Sequence, residues 1–184
     1  AEYCVSGSDP TPNIAGTTGG TFSSTAGLSI NASTGEIDLS ASTAGTYTVS
    51  YLTSGNTCAV TGTFDVTITE DEDGTFTYAA TEYCKSGSNP TPTITGTTGG
   101  TFSSPAGLSI NTSTGEINIA ASTAGTYTVS YVTSSNLCAV TGTFDVTITD
   151  DEDGTFTYAS AEYCVSGSDP TPTISGTTGG TFSS

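Results

Sequence analysis

Gly125-Thr126-Tyr127-Thr128-Val129-Ser130-Tyr131-Val132 is the stretch whose reading decides the fold. Tyr127, Val129 and Tyr131 alternate with Thr and Ser, a period of two that sets three apolar side chains on one face of a strand. After the polar turn Ser134-Ser135-Asn136, Phe144-Asp145-Val146-Thr147-Ile148 resumes the alternation and brings a second strand back beside the first. Upstream, Leu108-Ser109-Ile110 and Ile117-Asn118-Ile119 flank Asn111-Thr112-Ser113-Thr114-Gly115, a polar turn whose late Gly can adopt a positive φ. Thr91-Pro92-Thr93-Ile94-Thr95 reads as a short strand, and Pro92 confines it to a sheet edge or a strand start. Thr75-Phe76-Thr77-Tyr78 opens the series with Phe76 and Tyr78 on one face. No helical periodicity is sustained anywhere. Roughly seven short strands separated by Gly, Ser and Thr turns predict a compact two-sheet sandwich.

Working outward, the same pattern recurs along the chain. Ala1-Glu2-Tyr3-Cys4 returns as Thr81-Glu82-Tyr83-Cys84 and as Ala161-Glu162-Tyr163-Cys164, a period of 80 residues. Residues 1–80 match residues 81–160 at 65 of 80 positions, and residues 161–184 match residues 1–24 at 22 of 24, so the units are near-copies. Cut at the acidic linkers, the chain divides into 1–73, a unit without its first strand residues, 74–153, a complete unit, and 154–184, the N-terminal part of a third. The last piece is too short to bury a core of its own. It is expected to be completed by sequence beyond Ser184 or by a neighbouring chain.

Composition narrows the class. Thr supplies 41 residues, Ser 26 and Gly 23, a profile of strands and turns. One Lys, no Arg and 18 acidic residues leave a net charge of −17. That charge repels a nucleic-acid backbone, whose binding depends on basic side chains that release counterions. Anionic membrane surfaces are repelled as well, and no apolar stretch of membrane-spanning length occurs. The expected partners are therefore neither nucleic acid nor membrane. There is no His, so no obvious general base near neutrality, and an enzyme is not expected. Glu36 and Glu116 occupy equivalent turn positions and read as scaffold rather than as a carboxylate pair.

Gly107-Leu108-Ser109-Ile110-Asn111, Ser113-Thr114-Gly115-Glu116-Ile117 and Ala124-Gly125-Thr126-Tyr127-Thr128-Val129 together resemble the signature of bacterial Ig-like and cadherin-like tandem repeats. Gly27 to Val49 carries the same signature. The whole unit is similar to the Cys-containing repeats of giant Bacteroidota surface adhesins, including those of gliding motility. The resemblance implies an all-β chain of Ig-like sandwiches arranged as beads on a string. It brings no set of ligand-binding residues.

Five cysteines stand at 4, 58, 84, 138 and 164, none in the close pairs of a zinc or redox site. Their regularity in a Thr-rich, nearly Lys-free chain points to an oxidising, extracellular compartment. Two pairing schemes compete: within units, Cys4–Cys58 and Cys84–Cys138, or across linkers, Cys58–Cys84 and Cys138–Cys164. If the first strand's start and the last hairpin lie at one end of a sandwich, Cys84 and Cys138 meet there. The within-unit scheme is the one expected, with the partner of Cys164 outside the chain. Closing a loop of about 55 residues is worth roughly 4 kcal/mol on the loop-entropy account.

Glu70-Asp71-Glu72-Asp73 and Asp150-Asp151-Glu152-Asp153 fall between units. Closely spaced carboxylates suit a hard cation, so Asp71, Asp73, Asp151 and Asp153 are candidate ligands for interdomain calcium; a solvated acidic turn is the alternative. Lys85 faces Val at the equivalent positions 5 and 165, which excludes a repeat-wide Lys crosslink. Tyr3, Tyr83 and Tyr163 are expected to pack beside the first Cys of each unit. Asn31-Ala32-Ser33 and Asn111-Thr112-Ser113 fit the N-glycosylation pattern, which a bacterial context does not use by default.

The function expected from all this is the shaft of a secreted cell-surface adhesin or filament, holding a binding region away from the cell. The alternatives are a self-assembling fibre of identical chains and a module that binds a surface glycan or a host or substratum ligand.

Overall fold

A computed structural model describes residues 1–55, 57–134 and 137–183. Ser135 and Asn136 of the expected turn lie outside the described residues. The first unit contains β1 (Glu2–Cys4), β2 (Thr21–Ser24), β3 (Ser29–Ile30), β4 (Ile37–Asp38), β5 (Gly45–Leu52) and β6 (Thr61–Thr69). The second contains β7 (Phe76–Thr77), β8 (Glu82–Cys84), β9 (Thr93–Ile94), β10 (Thr101–Ser103), β11 (Gly125–Val132) and β12 (Thr141–Thr149). Two short strands follow, β13 (Phe156–Thr157) and β14 (Thr173–Ile174). All of it is β, as tandem Ig-like sandwich units.

Each unit is built on a mixed four-stranded sheet, β1-β6-β5-β2 in the first and β8-β12-β11-β10 in the second. The central hairpin is antiparallel, with Gly125 opposite Ile148 and Val132 opposite Thr141. This register turns Val129, Tyr131, Val146 and Ile148 to the same side, where they are buried. The opposing layer is made of short pieces: β7 with β9, β3 with β4, and the single bridge between Ile110 and Ile117. The positive φ expected after the Asn111 turn is found at Gly115, φ 73°, and Asn111 Oδ1 accepts hydrogen bonds from the Ser113 and Thr114 amides.

The chain enters the second unit along one line. Residues 74–78 cross the open face of the sandwich, and β8 then joins the edge of the main sheet parallel to β12. Phe76 and Tyr78 both point into the core, as their alternation predicts. Phe76 stacks edge-on to Phe102 and Tyr131, with centroids 5.3 and 5.9 Å away. Tyr78 packs on Phe144 and donates its hydroxyl to the Gly115 carbonyl at 2.5 Å. Burial pushes the Tyr78 hydroxyl well above its ordinary pKa, with Tyr83 adding to the effect, so it stays a neutral donor.

Candidate functional site at the joint between units

The parallel edge strand decides where the first cysteine of each unit lies. In register, Cys4 sits opposite Thr69 and Cys84 opposite Thr149, at the ends of β6 and β12 where the chain leaves each unit. Cys138 lies before β12 begins at Thr141. A strand of 9 residues is about 27 Å long. Cys84 and Cys138 are thus at opposite ends of one unit, and the expected Cys84–Cys138 pair does not form.

Cys4 instead bonds to Cys138 across the joint, 134 residues away, with 5.5 Å between Cα atoms. This replaces both expected within-unit pairs, Cys4–Cys58 and Cys84–Cys138, and neither linker pair, Cys58–Cys84 or Cys138–Cys164, is present. Cys58, Cys84 and Cys164 are exposed thiols. The sequence held one clue to this geometry. Residues 74–84, if extended, reach about 33 Å, enough to carry Cys84 from one end of a sandwich to the other.

Around the disulfide, the linker is held by polar contacts to both units. Ser6 Oγ donates to Asp71 Oδ1 at 2.9 Å, and the Glu72 amide donates to the Cys138 carbonyl at 3.1 Å. The linker then passes Gly74 against Gly142 of β12 so closely that a Cβ on Gly142 would lie 1.9 Å from the Gly74 carbonyl oxygen. Both positions require glycine.

The second acidic run repeats the arrangement. Asp151 Oδ1 accepts from the Ser86 hydroxyl at 2.7 Å and the Ser86 amide at 3.0 Å. Lys85 Nζ meets Asp150 Oδ1 at 2.7 Å, an exposed ion pair of small energetic weight. The Ser86 bonds, with a smaller contribution from Lys85, hold the Asp151 carboxyl below the usual value. Asp73 and Asp153 are lowered in the same direction by the side chain and amide of Thr75 and Thr155.

Each of the four aspartates read as calcium candidates, Asp71, Asp73, Asp151 and Asp153, therefore has Oδ1 engaged in hydrogen bonds within the chain. Among the described residues, Cys4, Asp71 and Cys138 are the group of potential ligands that converges. Its two sulfurs are bonded to each other, which leaves no thiolate for a metal. Tyr3 and Tyr83 pack against the cores of their units, and the Tyr83 hydroxyl accepts from the Ala80 amide at 2.9 Å.

No protein-family model and no curated protein matches this chain. Among solved structures it is similar to a SusE-like, surface-located polysaccharide-binding protein from the Bacteroides thetaiotaomicron heparin utilisation locus. That match has 16% identity and a TM-score of 0.39, covering 85% of this chain and 34% of that one. It is also similar to human CDH23 EC21-23, at 12% identity and a TM-score of 0.37, covering 96% of this chain and 82% of that one. Mouse protocadherin-24 EC1-3 matches at 15% identity and a TM-score of 0.33, covering 89% and 65%. Among the described residues no helix is long and apolar enough to cross a membrane.

Proposed function

We propose that this chain is a length of extracellular shaft, a repetitive spacer of a cell-surface adhesin or filament that carries tension between its ends. The observation that supports this most is the Cys4–Cys138 disulfide, which crosses the joint and ties the start of the first unit to the residue just ahead of β12 in the second. A load applied at residue 1 reaches the disulfide after Cys4 and leaves it at Cys138. The strands between them are bypassed, and beyond Cys138 the load passes along β12, which is held on both sides by β11 and β8. An oxidising, extracellular location follows from the need to keep that bond closed. The net charge of −17 would keep neighbouring shafts apart and soluble. Calcium at the acidic joints would draw on the carboxylates of Asp71, Asp73, Asp151 and Asp153, in competition with the hydrogen bonds that their Oδ1 atoms accept.

Pulling single molecules from their two ends tests the reading. The reduced chain should extend further than the oxidised chain by on the order of 450 Å, the length of the 134-residue loop. Equal extensions in the two states would mean that the disulfide does not carry the load.

A further inference from the structure

The Cys4–Cys138 bond has a carboxylate beside it. The sulfurs of both cysteines and a carboxylate oxygen of Asp71 all lie within 4.8 Å of one another. The acid is held in that place from both sides of the joint. Asp71 Oδ1 accepts from the hydroxyl of Ser6, two residues beyond Cys4, at 2.9 Å, and the adjoining Glu72 amide donates to the Cys138 carbonyl at 3.1 Å. Glu70 and Asp73 extend the negative charge along the linker. The chain has one basic side chain, Lys85, and it is paired with Asp150 at 2.7 Å, beyond the far end of β12, so no basic side chain neutralises Asp71. The two sulfurs differ in access: Cys138 is 4% exposed, whereas Cys4 is only half-buried.

We propose that Asp71 makes the joint disulfide selective in what opens it: anionic thiols are held off, and thiols that carry a cationic group are admitted. Reduction starts when a thiolate attacks one sulfur of the bond. Cys4 is the more accessible target, so the incoming sulfur bonds to Cys4 Sγ, the Cys4–Cys138 bond breaks, and Cys138 leaves as a thiolate. A second thiolate then attacks the incoming sulfur, forms the reductant's own disulfide and releases Cys4 as a thiolate. Two electrons pass from two reductant thiols to the protein, and the two protons those thiols shed return to the cysteines. During the first attack the negative charge spreads over three sulfurs, two of them beside the Asp71 carboxylate. That charge raises the energy of the attacking arrangement, and a further negative charge on the reductant raises it again. An ammonium on the reductant offsets it. A unit charge at this range, partly screened by solvent, alters such a rate by about tenfold.

The second unit shows that the fold accepts a different charge at this place. Val5 follows Cys4, whereas Lys85 follows Cys84, on edge strands of the same register. Exchanging Val5 for Lys therefore sets an ammonium beside Cys4 without touching Asp71 or Ser6. The selectivity rests on the Cys4–Cys138 bond and not on the load-bearing role, since the bond can resist anionic thiols in a chain that carries no tension.

The test uses the oxidised 184-residue chain with the exposed thiols of Cys58, Cys84 and Cys164 first alkylated. Reduction by anionic mercaptoethanesulfonate and by cysteamine, which carries an ammonium, is followed at equal thiolate concentration. Samples are quenched in acid, and the joined and separate Cys4 and Cys138 peptides are measured by mass spectrometry. D71N keeps an oxygen to accept from Ser6 and removes only the charge. It should speed reduction by mercaptoethanesulfonate about tenfold and reduction by cysteamine no more than about twofold. V5K should favour the anionic reductant in the same direction. Added salt should speed mercaptoethanesulfonate on the unaltered chain more than on D71N. The proposal is overturned if D71N leaves both rates unchanged, or if it speeds both reductants alike, which would make Asp71 a structural clamp only. Neither result touches the load path. Absence of the joined Cys4–Cys138 peptide before reduction would overturn both.

Discussion

The two units share most of their sequence and differ in how well their cores are closed. Phe64 is 61% exposed in the first unit, whereas its counterpart Phe144 is half-buried under Phe76 and Tyr78. Tyr51 is half-buried, and its counterpart Tyr131 is fully enclosed, although both hydroxyls make the same bonds, accepting from a Gly amide and donating to a Thr carbonyl. The aromatic residues lining the two grooves are the same in type, and the second groove is covered by Phe76 and Tyr78. A unit of this protein is closed by the strand that leads into it along the linker. The acidic joint is therefore part of the next fold as well as a connector.

Removing the covering strand should erase the difference. In the reduced protein, calorimetry is expected to resolve two transitions, with the first unit melting below the second. F76A should cost about 3–5 kcal/mol, as large-to-small core changes do. It should bring the upper transition down towards the lower one and leave the lower one in place. Y78F should act more gently, by about 1 kcal/mol, because it removes only the hydrogen bond to the Gly115 carbonyl. If F76A instead moved both transitions equally, the two cores would not be separate.

A smaller effect is expected from acid. Asp73, Asp151 and Asp153 have folded values below their ordinary one, so each stabilises the folded joint above about pH 4. That contribution is lost as pH falls through the lowered folded values. Denaturant midpoints should be level between about pH 5 and 8 and decline below about pH 4. D151N should decline less steeply. All three carboxylates are exposed, so the decline is shallow.

How much of this was legible in the sequence depends on the kind of signal. The inward faces of β11 and β12 followed from period-two alternation, a local property of Tyr127 to Tyr131 and Val146 to Ile148. Gly115 followed from turn chemistry. The burial of Phe76 and Tyr78 was also readable, because both lie on one face of their segment. The disulfide was not. It depends on β8 lying parallel to β12, a long-range pairing that leaves no periodic trace in Glu82-Tyr83-Cys84. Placing the first strand's start and the last hairpin at one end of the sandwich sets Cys84 beside Cys138, whereas the fold carries Cys84 to the far end, opposite Thr149. The partners of the acidic runs were not legible for a related reason. Their spacing suggests cation ligands but does not show that Ser6 and Ser86, 65 residues away, and Thr75 and Thr155, two residues away, donate to the aspartates.

The most direct measurement is the disulfide map of the oxidised chain. Cleavage after glutamate separates all five cysteines, since Glu36, Glu70, Glu82, Glu116, Glu152 and Glu162 divide them. Mass spectrometry without reduction should find the Cys4 peptide joined to the Cys138 peptide. Recovery of Cys4–Cys58 together with Cys84–Cys138 would contradict the bridged joint and the load path built on it.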